Sequence, residues 1–481
     1  MDHKQRRKIL TLAAMSLGYG VVQLDVTIVN TALNSMGSSF GGGVAALQWV
    51  VNAYTIAFAA FILTAGAAGD RLGAKRVFMA GFAVFTAASL LCAVAPNLIL
   101  LVIARGLQGL GAALLVPNSL ALLNHTYTDT AERGRAVGLW AGGASLALTA
   151  GPLVGGILIS LTGWRAIFLV NIPIGLLGLL VASVYARDTA RIEHRELDLR
   201  GQLTSILCLG LLAALIIRSG NVGWGHPLVL GGLALAVLLG VLFVAQERRA
   251  AQPMLPLGLF HARAFSLSSL IGLAVNVAFY GLIFVLSLYF QQLNHWSPFE
   301  TGLAFVPMMG VVLPANLLAP RLSERIGACA VISIGALIAA AGTLSLLFVT
   351  RGTSYWAMCP QLLALGGGLG LLVPPMTSML LGSVAKTSSG VAAGVLNSAR
   401  QTGSVLGVAL FGALVAGGHF VAGMRESLVV AGALLLLSAV LGLLGHGARV
   451  TASTNPGSLS PTSRTPWSRS PARTPGWGND A

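Results

Sequence analysis

Leu24-Asp25-Val26-Thr27-Ile28-Val29-Asn30 lies inside a long apolar run, and from Ile9 to Leu33 no other charged side chain interrupts it. An acid near the middle of a bilayer-spanning helix costs about 2.5–3.5 kcal/mol on insertion scales, so a chain that keeps one there normally has a use for it. Asp25 is therefore the first functional candidate.

Composition agrees with a bilayer setting. Of 481 residues, 56% are hydrophobic and 9% charged, whereas soluble domains carry about a quarter charged. The formal charge of +15 invites a nucleic-acid reading, but the basic residues sit in short loops with no basic groove and no interleaved aromatics, so nucleic acid is excluded as a partner. Cys92, Cys208, Cys329 and Cys359 fall singly in apolar runs; they read as small hydrophobes, and neither a metal nor an organic cofactor is expected. The start, Lys4-Gln5-Arg6-Arg7-Lys8 before an apolar run, imitates a secretory signal. The run continues through Asp25 without a small-residue cleavage site, so it is expected to be retained.

Apolar runs of about 20 residues number fourteen, beginning near 9, 47, 76, 98, 135, 166, 201, 227, 265, 300, 328, 355, 392 and 427. The chain is thus an all-α integral membrane protein with the lipid bilayer as its partner. With the N-terminus in the cytoplasm, that side receives 23 of the 29 Lys and Arg and the other side four, which places both termini in the cytoplasm. The cell membrane is the expected location.

Repeats suggest a duplication. Gly69-Asp70-Arg71-Leu72-Gly73-Ala74 is echoed by Ser323-Glu324-Arg325-Ile326-Gly327-Ala328 at an offset of 254, and Gly151-Pro152-Leu153-Val154-Gly155 by Gly403-Ser404-Val405-Leu406-Gly407 at 252. Two similar offsets relate spans 1–6 to spans 9–14. The expected layout is a cytoplasmic tail (1–8), a six-helix half (9–186), a linker holding two inserted helices (187–264), a second six-helix half (265–447) and a disordered tail (448–481), the last rich in Ser, Thr, Pro and Arg. The tail's arginines are a candidate contact for anionic lipid.

Arg105 is the second buried charge. Counting 1.5 Å per residue from span ends near Leu98 and Leu33, Arg105 and Asp25 lie about 10 and 12 Å below the same surface. Opposite charges at one depth should meet each other or a shared water-filled space. A static ion pair and a proton switch both remain open. In the switch, burial favours the neutral acid, Arg105 favours the carboxylate, and a moving cavity tips the balance. The second half has Phe279 and Cys359 at the corresponding positions, which confines this chemistry to the first half.

Asp70, Arg71, Gly73 and Lys75 occupy a short cytoplasmic turn. Glycines flanking the acid suggest a tight turn that aims Asp70 at a partner such as another helix's N-terminus, a gating role. Gly151, Pro152, Gly155 and Gly156 permit close helix packing, and Pro152 is a candidate pivot. For Arg400, helix-end anchoring and cavity lining are both open. The candidate cavity set is Thr27, Asn30, Gln108, Asn276, Tyr280, Met376 and Arg400, with Tyr289, Gln291, Gln292 and Met379 as further polar or soft side chains.

These motifs together resemble the fourteen-helix drug:proton antiporter branch of the major facilitator superfamily, and among its members the methylenomycin-resistance-type antibiotic exporters. The resemblance rests on Leu24 to Leu33, on Gly66 to Arg76, on Arg105-Gly106-Leu107-Gln108-Gly109-Leu110-Gly111, and on Gly138 with Gly151 to Gly156, and it covers about residues 9–447. Asn34, Gly69, Ala74 and Ala147 depart from the usual pattern. The resemblance implies a major facilitator fold: two six-helix halves plus two inserted helices that rock about a cavity lined by spans 1, 4, 9 and 12. It further implies proton-coupled efflux of an amphipathic drug or antibiotic by a monomer that is not an enzyme, with protons as the coupling ion. With one membrane-embedded acid, neutral or singly charged compounds fit better than dications. Asp25→Asn is expected to abolish pH-driven transport with folding intact. A proton-coupled importer of a small metabolite and a non-transporting membrane sensor are the alternatives.

Overall fold

The computed structural model describes residues 3–191, 198–349, 352–385 and 388–445. The Ser/Thr/Pro/Arg-rich tail expected over 448–481 lies outside the described residues, as do Arg195, Arg351 and Lys386 of the charge count.

Among the described residues, fourteen helices are long and apolar enough to cross a membrane. In chain order they are α1 (Lys4–Phe40), α2 (Val44–Leu72), α3 (Ala74–Ala93), α4 (Leu98–Thr126), α5 (Ala131–Thr162), α6 (Ala166–Tyr185), α7 (Leu199–Val222), α8 (Pro227–Arg249), α9 (Arg263–Leu293), α10 (Pro298–Ile326), α11 (Ala328–Phe348), α12 (Tyr355–Gly382), α13 (Ser389–Ala416) and α14 (Phe420–Leu444). Their ends follow local chemistry. Asn97 caps α4 by accepting from Leu100 N–H, Asp129 caps α5 from Ala131 and Glu132, and Ser297 with Glu300 forms a reciprocal capping box at α10. Gly73 and Gly327, at φ +95° and +87°, separate α2 from α3 and α10 from α11. A left-handed turn needs glycine there, which explains why both copies of the repeat keep it.

One boundary differs from the sequence reading. α1 continues past Leu33 to Phe40, and within this extension Ser38 and Ser39 donate their hydroxyls to the carbonyls of Asn34 and Ser35 at 3.0 and 2.9 Å. Asp25 therefore lies closer to mid-helix than a count from Leu33 implies.

Packing repeats with the sequence. Helix α1 packs on α4, α5 and α6, and α4 on α2 and α3; in the same pattern α9 packs on α12, α13 and α14, and α12 on α10 and α11. The glycine stripes serve matching pairs: Gly151 and Gly155 of α5 press on Thr27, Ile28 and Thr31 of α1, and Gly403 and Gly407 of α13 press on the Leu273 and Val277 carbonyls of α9. Such close approach supplies the van der Waals contact that holds helices together in lipid. Across the halves, α2 meets α13 and α5 meets α10. Helices α7 and α8 pair with each other, and α7 alone rests on α2 and α13. Leu228, Leu230, Val237, Leu238 and Val241 of α8 are exposed accordingly, as suits a lipid-facing helix.

Candidate functional site

Asp25 and Arg105 meet. The Arg105 Nη1 donates to Asp25 Oδ2 at 2.5 Å, and both side chains are sealed from solvent at 0% and 1% exposure. Gln108, one turn further along α4, donates its amide to Asp25 Oδ1 at 2.9 Å and accepts from Arg105 Nη1 at 2.7 Å. Asn171 of α6 donates to the same Oδ1 at 3.2 Å. Ser89 of α3 accepts from Gln108 at 2.8 Å, and Arg105 Nε reaches the Val50 carbonyl of α2 at 3.0 Å. The guanidinium also lies over the Tyr54 ring, 4.3 Å from its centroid. Five groups from four helices (Gln108, Asn171, Ser89, the Val50 carbonyl and the Tyr54 ring) thus surround the carboxylate and its counter-ion.

Three donors point at the Asp25 carboxylate, a set that matches an ionised acid. Because Arg105 is buried, removing its partner leaves an uncompensated charge worth about 3–5 kcal/mol. On that ground Asp25→Asn is predicted to cost stability, where the sequence reading expects folding to stay intact.

Sequence reasoning missed Asn171 and Ser89. The available signal was the one that found Asp25: a polar side chain inside an apolar run, here Asn171-Ile172-Pro173. Gln108 was placed in the substrate cavity, but it belongs to this network and is fully buried.

A separate cavity of about 420 Å³ lies between the halves. Its wall comes from α1 (Tyr19, Gln23), α5 (Gly138 to Leu148), α9 (Asn276, Tyr280), α10 (Asn316), α12 (Thr377) and α13 (Arg400). Asn276, Tyr280 and Arg400 of the sequence-derived set line this cavity. No α4 side chain lines it, since that helix turns its polar face into the Asp25 network. Thr27, Asn30 and Met376 are corrections: none lines it, and each is buried at 3% exposure or less. Thr27 donates to the Leu148 carbonyl, and Asn30 to the Val26 carbonyl of its own helix. Tyr289 and Gln291 are buried as well, and neither they nor Gln292 and Met379 line it.

The cavity occupies the middle of the bundle and the half towards the face that carries Lys4. On the opposite half the seams are shut. Gly156 of α5 abuts Pro298 and Phe299 of α10, Gly302 abuts the Pro152 carbonyl, Gln48 of α2 donates to the Val408 and Ala409 carbonyls of α13 at 3.0 and 2.7 Å, and Ser287 donates to the Asn30 carbonyl at 2.6 Å. Gly151, Pro152, Gly155 and Gly156 thus pack α5 between α1 and α10. Helix α5 runs on through Pro152 without a break, so close packing is the role this conformation supports.

The turn after α2 is clamped from its own half. Asp188, just beyond α6, accepts from Lys75 N–H at 3.1 Å and pairs with Arg76 at 3.8 Å, while Lys75 Nζ donates to the Ser183 carbonyl at 2.7 Å. Gly73 supplies the turn, and Arg71 is exposed. Asp188 is thus an acid seated at the N-terminus of α3. Its position follows a stretch with no motif, which hid it from sequence reasoning.

The family model described as Major Facilitator Superfamily matches residues 15–408 and 268–477. The chain is 35% identical over 437 residues to the methylenomycin A resistance protein of Bacillus subtilis (strain 168), spanning 90% of this chain and 93% of that one. It is also 35% identical to the puromycin resistance protein pur8 of Streptomyces alboniger, over 95% and 94% of the two chains. Among solved structures, a POT family transporter in complex with a thioalcohol-conjugated peptide superposes with a TM-score of 0.69 at 14% identity, covering 92% of this chain and 96% of that one. This last likeness speaks to the fold.

Proposed function

Because the chain belongs to the Major Facilitator Superfamily, we propose that this multi-pass membrane protein exports an amphipathic drug or antibiotic from the cytoplasm in exchange for protons, by alternating access. The names of its relatives support the substrate class, and the single observation that carries the coupling is the sealed Asp25–Arg105 pair set beside a cavity of its own. The face carrying Lys4 is the cytoplasmic one, since Arg and Lys crowd the loops there. The arrangement described above is then inward-facing, ready to take substrate from the cytoplasm.

The cycle follows from the geometry. When the halves tilt to open the far seams, α1 moves against α4, Arg105 parts from Asp25, and the carboxylate takes a proton from outside. Return to the inward state brings Arg105 back to Asp25, expels the proton to the cytoplasm and reopens the cavity to drug. The clamp of Asp188 on Lys75 and Arg76 steadies the cytoplasmic ends of α2 and α3 through this motion. One chain holds both the network and the cavity, so the monomer is the working unit, and the cell membrane, where a proton gradient is maintained, is its site.

Reconstitution into vesicles tests the reading. An imposed pH gradient should move a fluorescent drug against its own gradient with the wild-type protein and not with Asp25→Asn. Substrate drawn in the same direction as protons would instead identify an importer, and binding without flux a sensor.

A further inference from the structure

Among the described residues, the bundle interior holds two arginines, Arg105 and Arg400, and one carboxylate, Asp25. Asp25 is committed to Arg105, and Arg400 has no ion-pair or hydrogen-bond partner among the described residues; its Nε is buried and unpaired. Arg400 is the one charged side chain on the wall of the 420 Å³ cavity. We propose that this cavity selects amphipathic compounds bearing a carboxylate or another single negative charge, and that Arg400 is the residue that imposes the selection. The proposal deepens the export reading above and rests on it.

Arg400 is part-buried with its Nε sealed and unpaired, so an incoming anion gains a charge-assisted partner there while a cation is repelled. The rest of the wall suits the remainder of such a molecule. Tyr19 stacks on Trp140 with ring centroids 4.3 Å apart, a flat surface for a ring system, and Phe279, Leu313 and Leu369 continue the apolar side. The volume falls in the roughly 300–1,000 Å³ range of small-molecule sites. Arg400 is also seated: its stem packs where α9 has Gly272, whose missing side chain leaves a gap that a Cβ would fill to within 3.4 Å of Arg400 Cγ. A guanidinium held by its stem and free at its head is poised to take a carboxylate by two parallel hydrogen bonds. A cationic drug finds no acid here, because the carboxylate of Asp25 is turned away into α4 and α6.

The test compares two xanthene dyes on the purified full-length protein by fluorescence anisotropy at mildly acidic pH, where fluorescein is mostly a monoanion: anionic fluorescein and cationic rhodamine 123. Fluorescein is expected to bind the wild-type protein at least about tenfold more tightly, a difference of about 1.4 kcal/mol. Arg400→Gln should erase the preference, and Arg400→Lys should retain much of it. Equal affinity for the two dyes, a preference for rhodamine 123, binding of neither dye, or a preference that survives Arg400→Gln overturns the proposal. The wild-type comparison stands even where a variant fails to fold. Vesicle transport separates the two readings: pH-driven flux without charge discrimination removes this inference alone, whereas charge-selective binding without pH-driven flux removes the export reading.

Discussion

Asn171 on α6 donates its amide to Asp25 on α1 at 3.2 Å, across 146 residues of sequence and deep inside the first half of the bundle. That contact turns an ion pair into an enclosed network. It also holds the carboxylate on the side of α1 facing away from the 420 Å³ cavity; in the export cycle proposed above, proton and drug are then coupled through helix motion.

Asp25→Asn should abolish pH-driven flux and lower the stability of the protein by about 3–5 kcal/mol, because Arg105 is left charged and buried. The double variant Asp25→Asn with Arg105→Gln should recover most of the stability and none of the flux. Thermal unfolding in detergent, paired with vesicle transport, reads both. Full pH-driven transport by Asp25→Asn would sink the coupling role.

Asn171→Leu removes one of three donors to the carboxylate and offers nothing in exchange. A cost of about 1–3 kcal/mol is expected, together with slowed flux, since the paired state is the one destabilised. Unchanged unfolding temperature and unchanged flux would mean that the amide contributes nothing to the network.

Gly156→Ala and Gly138→Ala make a matched pair on α5. A Cβ at Gly156 collides with the Pro298 carbonyl and Phe299 Cα, whereas nothing lies within 4 Å at Gly138. The first should cost about 1–3 kcal/mol by forcing α5 from α10 and should cut transport. The second should be neutral or stabilising by up to about 1 kcal/mol through helix propensity. Similar behaviour of the two variants in unfolding and flux measurements contradicts the tight seam.

Asp188→Ala takes away the acceptor for Lys75 N–H at the start of α3 and the partner of Arg76. Loss of a helix-start acceptor typically costs about 0.5–2 kcal/mol. Unfolding temperature should fall, and Asp188→Asn, which keeps an acceptor oxygen, should lose less; equal losses would assign the effect to charge alone.

The sequence by itself determined the membrane class and the fourteen spans, and it pointed to a repeat and to Asp25 and Arg105 as charges held at one depth. Each follows from a local rule: apolar runs of bilayer length, glycines recurring at matched offsets, and charges that lipid will not accept. Only the tertiary structure decided which way those side chains face. Gln108 and Asn276 are both polar residues in apolar helices, and nothing in their neighbours along the chain says that one closes a proton network while the other borders a cavity. Helix rotation settles that, and rotation is set by packing such as Gly151 on Thr27 and Gly403 on the Leu273 carbonyl. The same holds for Arg400: its charge was legible at once, but its want of a partner is a property of everything packed around it.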